Sequence, residues 1–184
     1  MSTTWMIIRA SGIVAFGLLT LSVIWGLTLS STLLGRRVPA RNLTYVHESL
    51  SVGALVATMG HAVALLVDGF VPFGPMEVLV PGASAWRTGA VAFGVVAAWG
   101  VAIVTVSFYV RRHIGRTAWR AIHFGTFGVF VAALVHGLGA GTDATVPVMR
   151  WAYLASAGIV AALTVARVAL VGVPLPARAE RPTT

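Results

Sequence analysis

Five apolar stretches, each long enough to cross a lipid bilayer, constrain the fold more than any other feature of this sequence. They cover roughly residues 5–33, 43–67, 86–110, 118–139 and 148–171. A helix crosses the hydrocarbon core with about 20 apolar residues and satisfies its own backbone hydrogen bonds there. Charged residues make up 10% of the 184 residues, against about 25% in soluble domains. The sequence therefore predicts an all-α membrane protein, a bundle of about five transmembrane helices.

The placement of arginines predicts the orientation of these helices. Arginines occur in the loop 35–42 (Arg36, Arg37, Arg41), in or beside the loop 111–117 (Arg111, Arg112, Arg116, Arg120) and near the C-terminus (Arg178, Arg181). The loops 68–85 and 140–147, on the opposite side, contain Asp68, Glu77 and Asp143 and no arginine. By the positive-inside rule, the C-terminus faces the cytoplasm and the N-terminus faces outward. The net charge of +8 then reflects topology and lipid contact in the cell membrane rather than nucleic-acid binding.

The rest of the chain is too short for a second folded domain. Residues 1–172 are the predicted membrane domain, and residues 173–184 are a predicted short, disordered cytoplasmic tail because they are rich in proline and polar residues. The first apolar stretch has no basic segment before it and no clear cleavage site, so a signal peptide is not expected. Cysteine is absent, which excludes disulfides and cysteine-bound metal centres.

Four histidines lie in two of the spans at closely similar spacings. Thirteen residues separate His47 from His61, and twelve separate His123 from His136. At about 1.5 Å of rise per residue, each pair spans about 20 Å of helix. If the two helices are antiparallel, His47 matches His123 in depth on the cytoplasmic side, and His61 matches His136 on the outer side.

Imidazole pairs at two depths predict two stacked haems of b type. A neutral imidazole is a good axial ligand for haem iron, so His47 and His123 would hold one iron and His61 and His136 the other. A single histidine in a membrane helix is equally well explained as a hydrogen-bonded packing residue. Four histidines that match at two depths favour ligation, because polar side chains inside a membrane are costly.

The two histidine-bearing helices differ in how well an ideal helix fits the pattern. Between His47 and His61 the same face carries Ser51, Ala54 and Thr58. These short side chains leave room for flat macrocycles or, equally, allow close helix packing.

The other helix fits an ideal straight helix less well. Thirteen steps of about 100° leave His136 about 140° away from His123 around its axis. A tilt or a change of winding near Gly125 or Gly128 would reduce this mismatch, and haems on different sides of the helix would avoid it.

The chain resembles the ferric reductase transmembrane domain of NADPH oxidases and metalloreductases, including the bacterial haem-binding subunit of the periplasmic methionine sulfoxide reductase system. The histidine spacings are one part of the resemblance. Three sequence stretches are the other part: RASGIVAFGLLTLSVIWG in the first span, GRTAWRAIHFGTFGVFVAALVHG leading into and through the fourth span, and AGTD after it. It implies that His47 and His123 ligate the inner haem and His61 and His136 the outer one. Six spans are usual in the oxidases, and their flavin and NADPH domain is absent here. The electron donor would therefore be a separate flavin dehydrogenase or membrane quinol, with an acceptor on the outer side.

Arg9 is a further candidate for binding the outer haem. It lies about two turns into the first span, where an isolated arginine needs an anionic or polar partner. A haem propionate would supply strong arginine–carboxylate bonds, and snorkelling to the membrane surface is the alternative.

Several other residues are weaker candidates. The arginines near the cytoplasmic ends of the spans would contact haem propionates or lipid headgroups: Arg41, Arg112, Arg116 and Arg120. His113 is expected to be a surface residue, and Phe130 is expected to pack in the bundle or to lie between the haems. Trp5, Trp86, Trp119 and Trp151 resemble interfacial anchors, and the three loop acids are expected to be solvated or to dock a partner.

Together these features predict transmembrane electron transfer through two b-type haems by an oxidoreductase membrane subunit, with no catalytic residue assigned. The alternatives are a membrane protein that carries or binds haem or a metal ion without redox turnover, and a haem-free structural subunit.

Overall fold

Long helices account for most of the chain in the computed structural model, which describes residues 3–30, 40–69 and 73–171. The helices are α1 (Thr3–Ser30), α2 (Ala40–Leu66), α3 (Pro75–Leu79), α4 (Thr88–Ile114), α5 (Arg116–Phe124), α6 (Thr126–Ala140) and α7 (Pro147–Val171). A short 3₁₀ helix at Thr142–Thr145 precedes α7, and no strand occurs among the described residues. The predicted tail at 173–184 and the arginines Arg36 and Arg37 lie outside the described residues.

Five segments are long and apolar enough to cross a membrane, which confirms the predicted all-helical membrane architecture. They are Thr3–Leu29, Arg41–Leu66, Thr88–Ile114, Arg116–Ala140 and Pro147–Ala169. Large apolar side chains such as Val56, Met59 and Val165 point away from the bundle and are more than half exposed. In water such surfaces would promote association, whereas here they are suited to contact lipid.

The bundle is organised around two antiparallel helix pairs. Helix α1 packs along α2, α4 packs along α5 and α6, and α1 also contacts α6 and α7. At mid-depth these helices share a buried apolar core formed by Leu19, Val23, Leu27, Ala54, Val101, Val129, Phe130 and Val160. Because lipid is as apolar as these side chains, close van der Waals packing rather than exclusion from water holds the helices together.

A break at Gly125 divides the fourth span into α5 and α6. The Gly125 N–H donates to the carbonyl oxygen of Ile122 at 2.9 Å, which is the tighter bonding pattern of a 3₁₀ turn. The Thr126 hydroxyl donates to the carbonyl oxygen of His123 at 2.6 Å. A change of winding near Gly125, one of the alternatives left open by the sequence, is therefore present. It lies between the two histidines whose azimuths disagree in a straight helix.

The two ends of the bundle differ in the charged residues that they carry. The basic end carries Arg41, Arg111, Arg112 and Arg116, and the acidic end carries Asp68, Glu77 and Asp143. The third span begins two residues later than predicted, so Arg87 lies in the connection at the acidic end. Its guanidinium donates to the carbonyl oxygen of Gly139 at 2.6 Å. Arg87 reduces the charge asymmetry on which the predicted orientation depends, and the orientation stays a prediction.

Candidate functional site

The four histidines form two pairs, each combining one residue from α2 with one from the α5–α6 segment. The ring centroids of His47 and His123 lie 6.0 Å apart, with 77° between the ring planes. Those of His61 and His136 lie 6.3 Å apart, with 76° between the planes. The predicted pairing at two depths is therefore what the fold produces.

Both centroid separations fit one metal ion between the rings. A ligating imidazole nitrogen lies about 2 Å from its metal ion and about 1 Å from its own ring centroid, so two imidazoles on opposite sides of one ion have centroids about 6 Å apart. Within the described part of the chain, no three His, Cys, Asp or Glu side chains group as a possible metal site. Each pair thus offers two imidazole nitrogens to a metal ion and, among the described residues, no further protein ligand of these types.

Backbone carbonyls orient the two histidines of the acidic-end pair. His61 Nδ1 lies 2.9 Å from the carbonyl oxygen of Ile8 on α1, and His136 Nδ1 lies 2.9 Å from the carbonyl oxygen of Ala90 on α4. A carbonyl oxygen only accepts, so each Nδ1 carries the proton and donates. Each Nε2 is then left unprotonated, which is the form that binds a metal ion.

A serine network orients His47 in the basic-end pair. His47 Nδ1 lies 3.3 Å from Ser22 Oγ, and Ser22 Oγ lies 2.8 Å from Ser51 Oγ. The Ser51 hydroxyl donates to the carbonyl oxygen of His47 at 2.9 Å. Ser22 then donates to Ser51 and accepts from Nδ1 of His47, which again leaves Nε2 free. The sequence pattern placed Ser51 on this face as a small residue, whereas nothing in the sequence of α1 pointed to Ser22.

The spacing of the α2 histidines is repeated by two glycines on α1. A Cβ atom added to Gly12 would lie 3.1 Å from Cε1 of His61, and one added to Gly26 would lie 3.2 Å from Cε1 of His47. Fourteen positions separate the two glycines, as they separate His47 from His61. The matching interval in α1 is the sequence signal that could have revealed these contacts.

Gly94 on α4 makes a still closer contact in the acidic-end pair. A Cβ atom there would overlap Nδ1 of His136 and lie 2.6 Å from Cε1. The absence of a side chain at Gly94 allows the His136 ring to reach the carbonyl oxygen of Ala90. Sequence analysis did not single out Gly94, because the register between α4 and α6 has no counterpart in the histidine spacing.

Trp119 holds the His123 ring by stacking. The two ring centroids lie 5.4 Å apart with 29° between the planes, and Trp119 Nε1 is buried without a hydrogen-bond partner among the described residues. The expectation that Trp119 is an interfacial anchor is therefore wrong, because an anchor keeps its indole N–H at the polar surface. Trp151, in contrast, is 69% exposed.

Each histidine pair lines its own cavity. The acidic-end cavity contains His61 and His136, and the basic-end cavity contains His47 and His123. Leu19 and Val101 line both cavities, so a single apolar layer separates them.

Phe130 belongs to the apolar core around that layer. It is 3% exposed and stacks on Phe16, with ring centroids 5.9 Å apart. Core packing therefore accounts for Phe130.

Arg9 and Asp143 form an ion pair at the mouth of the acidic-end cavity. Arg9 Nε donates to Asp143 Oδ2 at 2.7 Å, and Nη2 contacts Oδ1. Both residues line the cavity with His61 and His136. Asp143 is the anionic partner that Arg9 requires in the membrane, so the expectation that Asp143 is a solvated loop charge is wrong. A contact of Arg9 with a haem propionate stays a prediction.

The weaker sequence candidates divide between the surface and the cavities. His113 and the side chains of Arg41, Arg112 and Arg116 are exposed, which confirms His113 as a surface residue. Arg120 lines the basic-end cavity. Arg167 on α7, which sequence analysis missed, lines the same cavity. Asp68 is buried, contrary to the expectation of a solvated loop acid.

No protein-family model, no curated protein and no solved structure matches this chain. The resemblance to the ferric reductase transmembrane domain is therefore carried by the quoted residues alone.

Proposed function

We propose that this protein transfers electrons across a membrane through two b-type haems, one in each histidine-lined cavity. The observation that carries the proposal is the geometry of the two histidine pairs, whose ring centroids lie 6.0 and 6.3 Å apart at two depths of one bundle. Two axial imidazoles complete the coordination of an iron whose other four ligands come from a macrocycle.

Three features of the cavities fit a flat, largely apolar macrocycle with axial imidazole ligands. Each cavity offers two histidines rather than the three or four side chains that hold a bare metal ion. The hydrogen bonds at Nδ1 of His47, His61 and His136 leave Nε2 for the iron. The cavity walls are mainly apolar, with Leu19, Val101 and their neighbours between the two sites.

The residues of the chain would bind, orient and insulate the two haems. When bound, haem supplies one-electron redox chemistry, and the protein supplies position and environment. The hydrogen bonds that the imidazoles donate to Ile8, Ala90 and Ser22 fix the ring orientations, and such outer partners also raise ligand basicity. His47 and His61 lie fourteen positions apart, which is about 21 Å of helix. The two sites therefore act in series across most of the bilayer.

We infer the direction of electron flow from the family resemblance, and the need for a separate electron donor from the residues of the given sequence. The sequence contains no nucleotide-binding motif, so electrons would enter from a separate flavin dehydrogenase or from membrane quinol. With the basic end in the cytoplasm, they would pass from the His47/His123 site to the His61/His136 site and on to an outer acceptor.

A visible spectrum with a haem-to-protein ratio tests the proposal directly. The full chain, purified in detergent from haem-replete cells, is expected to hold about two low-spin haems because four histidines supply two axial pairs. Dithionite should reduce both haems, giving sharp b-type α bands. Absence of a Soret band would eliminate the proposal. Bound haem that neither dithionite nor a quinol reduces would favour haem carriage instead.

Reporter fusions test the predicted orientation. A reporter that is active only in the cytoplasm should give signal when fused after Thr184 and none when inserted into the loop 68–85, because the arginine-rich loops are retained inside. Matched expression of both fusions, measured by immunoblot, is the control. Activity of the loop fusion together with a silent terminal fusion would reverse the orientation.

A further inference from the structure

Two arginines from different helices line the basic-end cavity together with His47 and His123. Arg120 lies on α5 and Arg167 lies near the end of α7. Arg120 precedes His123 by three positions, so the two side chains lie on adjacent turns of one helix face. Arg167 is partly buried inside a membrane-spanning helix, where a cation is costly unless it has a partner.

Among the described residues, the lining of the basic-end cavity includes no carboxylate that could serve as this partner. Its described polar lining consists of hydroxyl groups, the two histidines and the two arginines. Among the described residues, neither Arg120 nor Arg167 forms a salt bridge with a carboxylate. The cavity therefore presents two cations beside a pair of metal-binding imidazoles and lacks the anions that would balance them.

The acidic-end cavity has the opposite arrangement. Its one arginine, Arg9, is bonded to Asp143, and Glu77 is a second acid in the lining. A ligand that brings carboxylates into that cavity would have to compete with Asp143 for Arg9. The two cavities thus differ in their capacity to bind an anionic ligand, although their histidine geometry is nearly the same.

We propose that Arg120 and Arg167 bind the carboxylate side chains of the haem held by His47 and His123. The inference rests on the proposed function, and it assigns to Arg167 a role in ligand recognition. Guanidinium groups bind carboxylates through charge-assisted hydrogen bonds, often in a bidentate manner. Such bonds explain why α7 carries an arginine within its span, and they give the basic-end cavity the greater selectivity for haem carboxylates.

A comparison of haem with its dimethyl ester tests this recognition without requiring turnover. The full chain with His61→Ala, made in haem-deficient cells and purified in detergent, retains ligands for the basic-end site only. Binding of each compound is followed by titration of the Soret band. This His61→Ala chain, with both arginines intact, is the parent chain of the series. It should bind haem more tightly than the ester by about tenfold or more, since each charge-assisted hydrogen bond contributes about a factor of ten in affinity. The preference should fall in Arg120→Gln and in Arg167→Gln, and should nearly vanish in the double variant.

Matched variants separate recognition from effects on folding. Arg150→Gln removes an exposed arginine from the same helix as Arg167 and should leave the preference unchanged. Arg167→Lys keeps the charge but loses the bidentate geometry, so an intermediate preference is expected even if a glutamine variant is poorly produced.

Two results would overturn the inference while leaving the proposed function intact. One is equal binding of haem and ester by the parent chain. The other is an equal loss of affinity for both compounds in the arginine variants. That result would mean that Arg120 and Arg167 contact lipid phosphate or support helix packing. Failure of the parent chain to bind either compound would instead remove the proposed function, and this inference with it.

Discussion

His61→Ala is expected to abolish electron transfer across a proteoliposome membrane while leaving the other haem in place. Among the described residues, His61 and His136 form the one histidine pair at their depth, so the variant lacks one of the two proposed ligands of that site. The haem content should fall from about two to about one per chain. Transfer to an acceptor trapped on the far side should fall to the rate of protein-free vesicles, because the remaining His47/His123 site lies roughly 20 Å of helix from the site that has lost its haem, which is nearer the acidic end.

The same vesicles test the order of the two sites. An artificial donor supplied at the basic end should reduce the His47/His123 haem first, and His47→Ala should remove that first spectral component. His113→Ala is the matched control, because His113 is exposed in the last turn of α4 and belongs to neither pair. If a His61→Ala chain that has lost one haem still transferred electrons as fast as the unsubstituted chain, two haems acting in series would be ruled out. Storage or transport of haem would then be the better account.

The depth pairing of the histidines was predictable from the sequence because the rise of a helix is fixed. Two spacings that differ by one residue differ by about 1.5 Å in depth, and the flexibility of side chains absorbs that difference. The azimuth of His136 was not predictable, because it depends on where the helix departs from ideal winding. The break at Gly125 supplies that departure, whereas the sequence pattern indicated only the mismatch in azimuth and two glycines near which the winding could change.

The partners of the histidines were largely invisible in the sequence. The carbonyl oxygens of Ile8 and Ala90 orient His61 and His136, and every residue type has such an oxygen. Only the register between helices decides which carbonyl is used. The Arg9–Asp143 pair spans 134 positions, so the need for a partner could be predicted at Arg9, but the identity of the partner could not.

The ends of the helices were the least predictable part of the fold. Trp86 and Arg87 lie directly before the apolar residues of the third span, and the predicted span therefore included them. Arg87 instead adopts left-handed backbone angles (φ 46°, ψ 47°) immediately before α4. Its guanidinium lies 5.0 Å from the centroid of the Trp86 ring, so local contacts of the arginine stabilise a later helix start than hydropathy indicates.

Gly94→Ala is expected to displace haem from the His61/His136 site with no change to any ligand. The added Cβ would overlap Nδ1 of His136 and lie 2.6 Å from its Cε1, closer than two unbonded atoms can approach. The helix backbone holds the Cβ position fixed, so the His136 ring must turn and lose its bond to the carbonyl oxygen of Ala90. Loss of an outer-shell bond at a metal-ligating histidine typically lowers affinity by about 10–100-fold. The spectrum should therefore lose up to one haem per chain, with the His47/His123 haem unaffected.

Two further glycine variants calibrate this effect. Gly89→Ala lies on the same helix with no atom within 4 Å of its added Cβ, so it should keep both haems and isolate the helix-propensity effect of the substitution. Gly12→Ala should have a smaller effect than Gly94→Ala, because its Cβ would approach the His61 ring only to 3.1 Å. If Gly94→Ala retained both haems with an unchanged spectrum, the His136 ring would not need the space that the missing side chain of Gly94 leaves. The assignment of His136 as a haem ligand oriented by Ala90 would then be wrong, because the substitution leaves that ring no room to keep its observed position.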